Sequence, residues 1–382
     1  MGSPGSNGKP GGVRGWWLHL LCSEGLKLVA ALAAVFLVFV VALGVQQAAK
    51  TRASNTRALA ELERQGVPAE ERPNDERLLS PWREGLAACW RFVGGRNLET
   101  IARQTSIVGI AALGMTLVIV MGGIDLSIGS MVALATVVIA TVLNLQWLGL
   151  QPLAAAGAAV AVCAGFGWLN GVLVTQLRVV PFIVTLGTML LVRGAAKGLG
   201  REQKVDAPET WLNELLASLS SEQRWMLLPA GVWVLVVTAI LVALVLRYTR
   251  LGRHTFAIGS NEQTARLCGV PVDRVKIYIY SLGGLFAGLA GVMQFSRLTV
   301  GDPTVAVGLE LDVIAAVVIG GGSLSGGEGS VLGSLVGALI MSVIRSGCSQ
   351  MGISNWVQEI ITGAIIIAAV AVDRWRHSRS RA

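Results

Sequence analysis

Charge is scarce in this chain. Only 14% of its 382 residues are Asp, Glu, Lys or Arg, while 53% are hydrophobic. Soluble domains carry roughly a quarter charged residues, so composition argues against a water-soluble enzyme or binding module. Histidine is nearly absent, and His19, His254 and His377 all fall near expected cytoplasmic ends of apolar runs. No apolar run therefore offers a histidine base, and neither Gly-x-Ser-x-Gly nor His-Glu-x-x-His occurs, which removes the usual grounds for an intramembrane hydrolase. The cysteines, Cys22, Cys89, Cys163, Cys268 and Cys348, include no Cys-x-x-Cys pair. They supply neither a zinc spacing nor a disulfide framework. A phosphate-cradling loop is also missing: Gly8-Lys9 is followed by Pro10, and Ser3 stands where the first glycine belongs. The chain is read as a non-enzyme.

Long apolar runs are what it has instead. Residues 26–45 form a first expected span, read as retained; a cleaved signal peptide is the rival reading of its basic start and apolar centre. Further expected spans are 105–121, 128–146, 153–177, 181–199, 225–246, 277–295, 311–322, 331–344 and 356–372, about ten in all. The run at 311–322 is short for a bilayer crossing, so a tilted, broken or re-entrant element is expected there. The fold class is all-α, a polytopic membrane bundle.

The net charge of +8 does not point to nucleic acid, because the basic residues cluster at the ends of apolar runs. Arg247, Arg250, Arg253, Arg266, Arg274 and Lys276 share one connection with Glu262 and Asp273, and the tail holds Arg374, Arg376, Arg379 and Arg381. Ten spans put the N-terminus, this connection and the tail on one side, and the positive-inside rule makes that side the cytoplasm. The expected organisation is an N-terminal tail (1–25), a first span (26–45), a periplasmic segment (46–104), the permeation unit (105–372) and a basic cytoplasmic tail (373–382). Within 46–104, Leu78, Trp82, Leu86 and Trp90 recur at helical spacing, a stripe that either lies on the outer membrane face or packs back on the bundle. Trp147, Trp225, Trp356 and Trp375 fall near span ends, as aromatic belts do.

The most informative feature is Gly122-Gly123-Ile124-Asp125-Leu126-Ser127-Ile128-Gly129-Ser130, set between two apolar runs. A carboxylate at membrane depth costs roughly 2.5–3.5 kcal/mol on insertion scales, and the flanking glycines weaken a helix further. Such an interruption is tolerated where backbone is buried in protein or lines a wet cavity, so a broken helix near Asp125 is expected. Its carboxylate either shapes a permeation path, accepting from solute hydroxyls, or caps the following helix together with Ser127; the two roles are compatible. Arg193 and Lys197 are expected to snorkel outward, and Asp312 and Glu359 to reach an interface.

The basic connection has structure of its own. Ser260 and Gln263 stand at capping-box spacing, and Gly269 before Pro271 supplies a stop, so a short cytoplasmic helix is predicted at about 261–268.

These segments together resemble the permeases of ribose/xylose-type ABC importers. The resemblance rests on Gly114–Ile119 leading into Gly122–Ser130, on Pro181–Met189 followed by Arg193-Gly194, on Gly252 through Val270, and on the glycine-rich Gly320–Ser330, in family order over about 105–372. Leu324–Glu328 is similar to the signature loop of ABC ATPases, but it sits among apolar runs and reads as a tight turn allowing close helix packing. The resemblance implies a pathway including Gly122, Gly123, Asp125, Ser127 and Thr185. It also implies a contact with an ATP-binding subunit through Gly259, Asn261, Glu262, Ala265, Arg266 and Gly269. Implied partners are that ATPase, a periplasmic solute-binding protein, a second permease copy and the inner-membrane bilayer. ATP and Mg belong on the ATPase, with no cofactor or metal in this chain. A branched-chain amino acid permease and an ion-coupled secondary transporter are the alternative readings.

Overall fold

The computed structural model describes residues 13–65, 80–145, 152–219 and 226–380, with side-chain surroundings for residues 26–371 inside those limits. Leu78, Trp147, Trp225 and Arg381 therefore lie outside the described residues, as do the side chains of His19, Cys22, Trp375, His377 and the remaining tail arginines.

The helices are α1 (Val13–Arg64), α2 (Pro81–Val93), α3 (Gly95–Val120), α4 (Ile128–Asn144), α5 (Pro152–Leu177), α6 (Pro181–Leu199), α7 (Trp211–Glu214), α8 (Ala230–Tyr248), α9 (Arg250–Ser260), α10 (Glu262–Leu267), α11 (Val272–Leu298), α12 (Leu309–Ile319), α13 (Val331–Gln350) and α14 (Asn355–Ser380). Seven of them are long and apolar enough to cross a membrane, and α4 and α14 contribute shorter apolar stretches. Each expected span coincides with a helix. The short one, at 311–322, is α12, whose 11 residues reach about 16 Å, half a hydrocarbon core.

The first helix outruns its expected span. No proline interrupts 13–64, and past Val45 the chain is rich in Ala, Leu, Glu, Gln, Lys and Arg, all strong helix formers. The resulting 52 residues measure about 78 Å, more than twice the hydrocarbon thickness. α2 folds back on α1: Gly85, Ala88 and Phe92 are buried, with the Phe92 ring 5.0 Å from that of Phe36. Trp82, Leu86 and Trp90 stay exposed on the opposite face, so that stripe is the one α2 leaves uncovered.

α3, α4 and the upper part of α11 form the buried centre. The most extensive helix pair is α5 with α11, where Gly167 and Gly171 of one helix meet Gly284 and Ile277 of the other, backbone against backbone. Small residues at such a crossing replace side-chain bulk with dispersion contact, the force that holds helices together in lipid. After α6, strand β1 (Val205–Asp206) pairs antiparallel with β2 (Val300–Gly301), tying the 200–219 segment to the end of α11.

Candidate functional site

The chain leaves α3 at Gly122, whose φ of +87° suits glycine and lets the amides of Gly122 and Gly123 bond back to Ile119 and Val118. α4 starts six residues later. Between them Asp125 Oδ1 accepts from the Ser127 amide (2.9 Å) and the Ser127 hydroxyl (2.5 Å), an Asx turn that sets the entry into α4. Asn170 of α5 donates to Ser127 Oγ at 2.9 Å, and Thr185 of α6 donates to the Ile124 carbonyl at 3.2 Å. From α11, the Tyr280 hydroxyl stands 2.6 Å from where a Cβ on Gly123 would lie. Asp125, Ser127, Asn170, Thr185 and Tyr280 are all fully buried. The residues expected on the pathway are thus brought together, around a carboxylate that is engaged in shaping a turn.

Asn170 and Tyr280 escaped the sequence reading. Asn170 is the one amide in the apolar run 153–174, and that isolation is the signal that would have found it, whereas Tyr280 stands beside Tyr278 and Ser281 and nothing local marks it.

The break is joined to two other glycine segments. The Gly327 amide donates to Val120 O (2.8 Å), capping the last carbonyl of α3. A Cβ on Gly259, near the end of α9, would collide with both Val120 O and the Gly327 amide. A Cβ on Gly326, itself at φ +84°, would come within 2.9 Å of Gly122 Cα and the Gly259 carbonyl. Three stretches far apart in sequence therefore meet at one backbone junction.

Next to it lies α10, within the predicted limits but capped differently. Asn261, not Ser260, is the N-cap: its side chain accepts from the Thr264 amide at 2.8 Å. Ser260 is instead the last residue of α9, a helix within the basic connection that the sequence pattern does not predict. Gly269 (φ +82°) ends α10 as expected, with its amide on Arg266 O and that of Val270 on Ala265 O. The charges of α10 point back at its own chain. Lys276 holds both Glu262 oxygens (2.8 and 2.9 Å), and Arg266 pairs with Asp273 (2.8 Å) and Glu262 (3.5 Å). Ala265 is buried against the bundle, while Leu267 is 89% exposed. α10 is thereby clamped to the first turns of α11. Tyr280 and Gly283, which face the Asp125 loop, sit about 6–15 Å beyond the clamped Asp273 and Lys276 along that helix.

Two charged residues differ from expectation. Arg193 does not snorkel; it donates to Pro303 O (3.2 Å) and Val305 O (2.6 Å), pinning the non-helical segment before α12. Asp312 does not reach an interface but is buried and ion-paired with Arg345. In that same segment burial pushes the Asp302 carboxyl up, yet the Thr304 hydroxyl (2.6 Å) and amide (2.8 Å), with Lys204 at 3.5 Å, hold it below the ordinary carboxylate value. Among the described residues no three of His, Cys, Asp and Glu gather as a metal site requires.

A bundle with an interrupted core helix and a charged helix clamped outside it defines a membrane permease. The family described as branched-chain amino acid transport system / permease component matches residues 97–370, and the chain belongs to that family of ABC importer permeases, which are not themselves enzymes. It is 41% identical over 277 residues to the ribose import permease protein RbsC of Escherichia coli K12, covering 72% of this chain and 85% of that protein. The RbsC of Bacillus subtilis 168 is 38% identical over 284 residues (74% and 86%), and the L-arabinose transport system permease protein AraH of E. coli K12 is 37% identical over 288 (75% and 84%). No solved structure matches the chain.

Proposed function

We propose that this chain is the membrane-spanning subunit of an importer for a monosaccharide or related polyol. In this reading a periplasmic binding protein delivers the solute, two copies of the permease enclose its path, and two ATPase subunits carry ATP and Mg. The N-terminus, the α9–α10 connection and the basic tail face the cytoplasm, where α10 meets the ATPase with Leu267 outermost. Gly259, Asn261, Glu262, Ala265, Arg266 and Gly269 build that coupling element. Gly122, Gly123, Asp125, Ser127 and Thr185 frame the moving part of the pathway. The observation that carries the sugar assignment is the identity to ribose and arabinose permeases over the stretch that contains both the broken helix and α10.

A branched-chain amino acid substrate is the rival within the family. The test is ATP turnover by the reconstituted complex, with its genetically neighbouring binding protein loaded with a pentose, a hexose, a polyol or leucine. Stimulation by a sugar or polyol is expected. Stimulation by leucine alone would overturn the reading.

A further inference from the structure

At the end of the bundle opposite α10, a cavity of about 770 Å³ opens between the starts of α3 and α14 and the ends of α11 and α13. Arg91, Arg96, Arg297 and Arg345 line it, and no carboxylate does among the described residues. Its floor is built rather than incidental. Asn97 is buried, its amide donates to Phe92 O (2.7 Å), and its oxygen receives Ser346 Oγ (2.8 Å) and Gln350 Nε2 (2.5 Å).

The charge in this cavity is unbalanced. Arg345 is paired from beneath by Asp312, and the neighbouring Arg103 has Glu99 at 3.9 Å. Among the described residues the guanidinium groups of Arg91, Arg96 and Arg297 have no ion-pair or hydrogen-bond partner, and Arg297 is repelled by both Arg345 and Arg103. Uncovered like charges at close quarters are held most cheaply by an anion between them. Guanidinium forks match the oxygens of phosphate in particular, two bonds at a time. The start of α3 adds to the same field: its N-cap is Gly94, which supplies no side-chain cap, so the positive helix end faces the cavity at Gly94–Arg96. Amide and hydroxyl groups of Gln104, Ser349, Gln350, Asn355 and Gln358 complete the wall, suited to hydroxyls borne on the same ligand.

We infer that this cavity binds the phosphate of a hydroxyl-bearing phosphoester. The group can come from an anionic lipid such as phosphatidylglycerol or from a soluble polyol phosphate. The flanking Trp90 and Trp356, both exposed, are residues of the kind that settle at headgroup level.

Two arms separate these sources, using the purified full chain in nanodiscs. In one, thermal stability and lipid retention are compared between phosphatidylcholine and phosphatidylcholine with phosphatidylglycerol. In the other, glycerol phosphate is titrated in phosphatidylcholine alone. Stabilisation in either arm is expected, and which arm responds names the source. Arg297→Gln removes a charge-assisted contact and should weaken the response about tenfold or more. The double variant Arg91→Gln with Arg96→Gln, at exposed rim positions, should do likewise and decides the matter if Arg297→Gln does not fold. Arg247→Gln, at the other end of the bundle, should leave the response intact. No stabilisation in either arm, an undiminished response in the cavity variants, or an equal loss in Arg247→Gln would each overturn the inference.

Discussion

Asp125 makes its two bonds to Ser127 with one oxygen, so substitutions there separate shape from charge. Asparagine keeps an acceptor for the Ser127 amide. Leucine leaves the amide and the hydroxyl without that partner inside the protein, at about 1–3 kcal/mol for each buried group left unmade. Thermal unfolding of the purified protein should therefore be little changed in Asp125→Asn and clearly lowered in Asp125→Leu. Uptake lost in a stable Asp125→Asn would assign the charge itself to the pathway; wild-type stability in Asp125→Leu would remove the capping role. Asp302 carries a pH prediction. Its carboxyl is held below the ordinary value of 3.8, so its contribution is present above that pH and is lost as pH falls through the lower folded-state value. Amide exchange in the 302–308 segment should rise in that acid window in the wild type, and Asp302→Asn should show the fast exchange at neutral pH. Sequence reading found Asp125 because a carboxylate between glycines in an apolar region stands out. It misjudged Arg193 and Asp312 because their partners, the 303–305 carbonyls and Arg345, are remote in sequence and are brought near only by packing.

At the scale of elements, the clamp between α10 and α11 rests on exposed ion pairs. Such pairs contribute at most about 1 kcal/mol each to stability, so their value is in fixing orientation. Glu262→Lys should leave folding intact but loosen α10 from α11, lowering transport per ATP hydrolysed in the reconstituted complex. Adding Lys276→Glu restores an opposite-charge pair and should recover part of the coupling. A double variant as impaired as the single one would mean that Glu262 touches the ATPase directly rather than bracing the helix. Gly259→Ala should be harsher, since a methyl there meets the Val120 carbonyl and the Gly327 amide. The helical periods, the Gly269 stop and the short α12 were legible in sequence because each follows from local chemistry. α9 was not, since its many basic residues resemble a loop until its buried face, Gly252, Thr255 and Ile258, is seen against the bundle. Nor was the N-cap, because Asn261 and Ser260 are both good caps and only the observed backbone chooses between them.

For the whole molecule, the two ends of the bundle carry different chemistry. One end gathers α10, the basic connection and the glycine junction beneath the broken helix, and the other gathers the arginine-lined cavity and the β1–β2 tie. The glycine segments at 122–123, 259 and 326–327 were each recognisable as motifs, yet nothing local announced that they share one junction. In the proposed reading, their meeting and the α10–α11 clamp form the mechanical route from α10 to the Asp125 loop. On that proposed reading this chain supplies a path and a coupling surface but no energy. The direct measurement is solute accumulation in liposomes containing the purified chain, with and without the ATPase subunit, binding protein and ATP, and with an imposed sodium or proton gradient. Accumulation that requires ATPase, binding protein and ATP together, and is indifferent to the gradients, is the predicted result. Accumulation by the chain alone on an ion gradient would contradict it and make this an ion-coupled transporter.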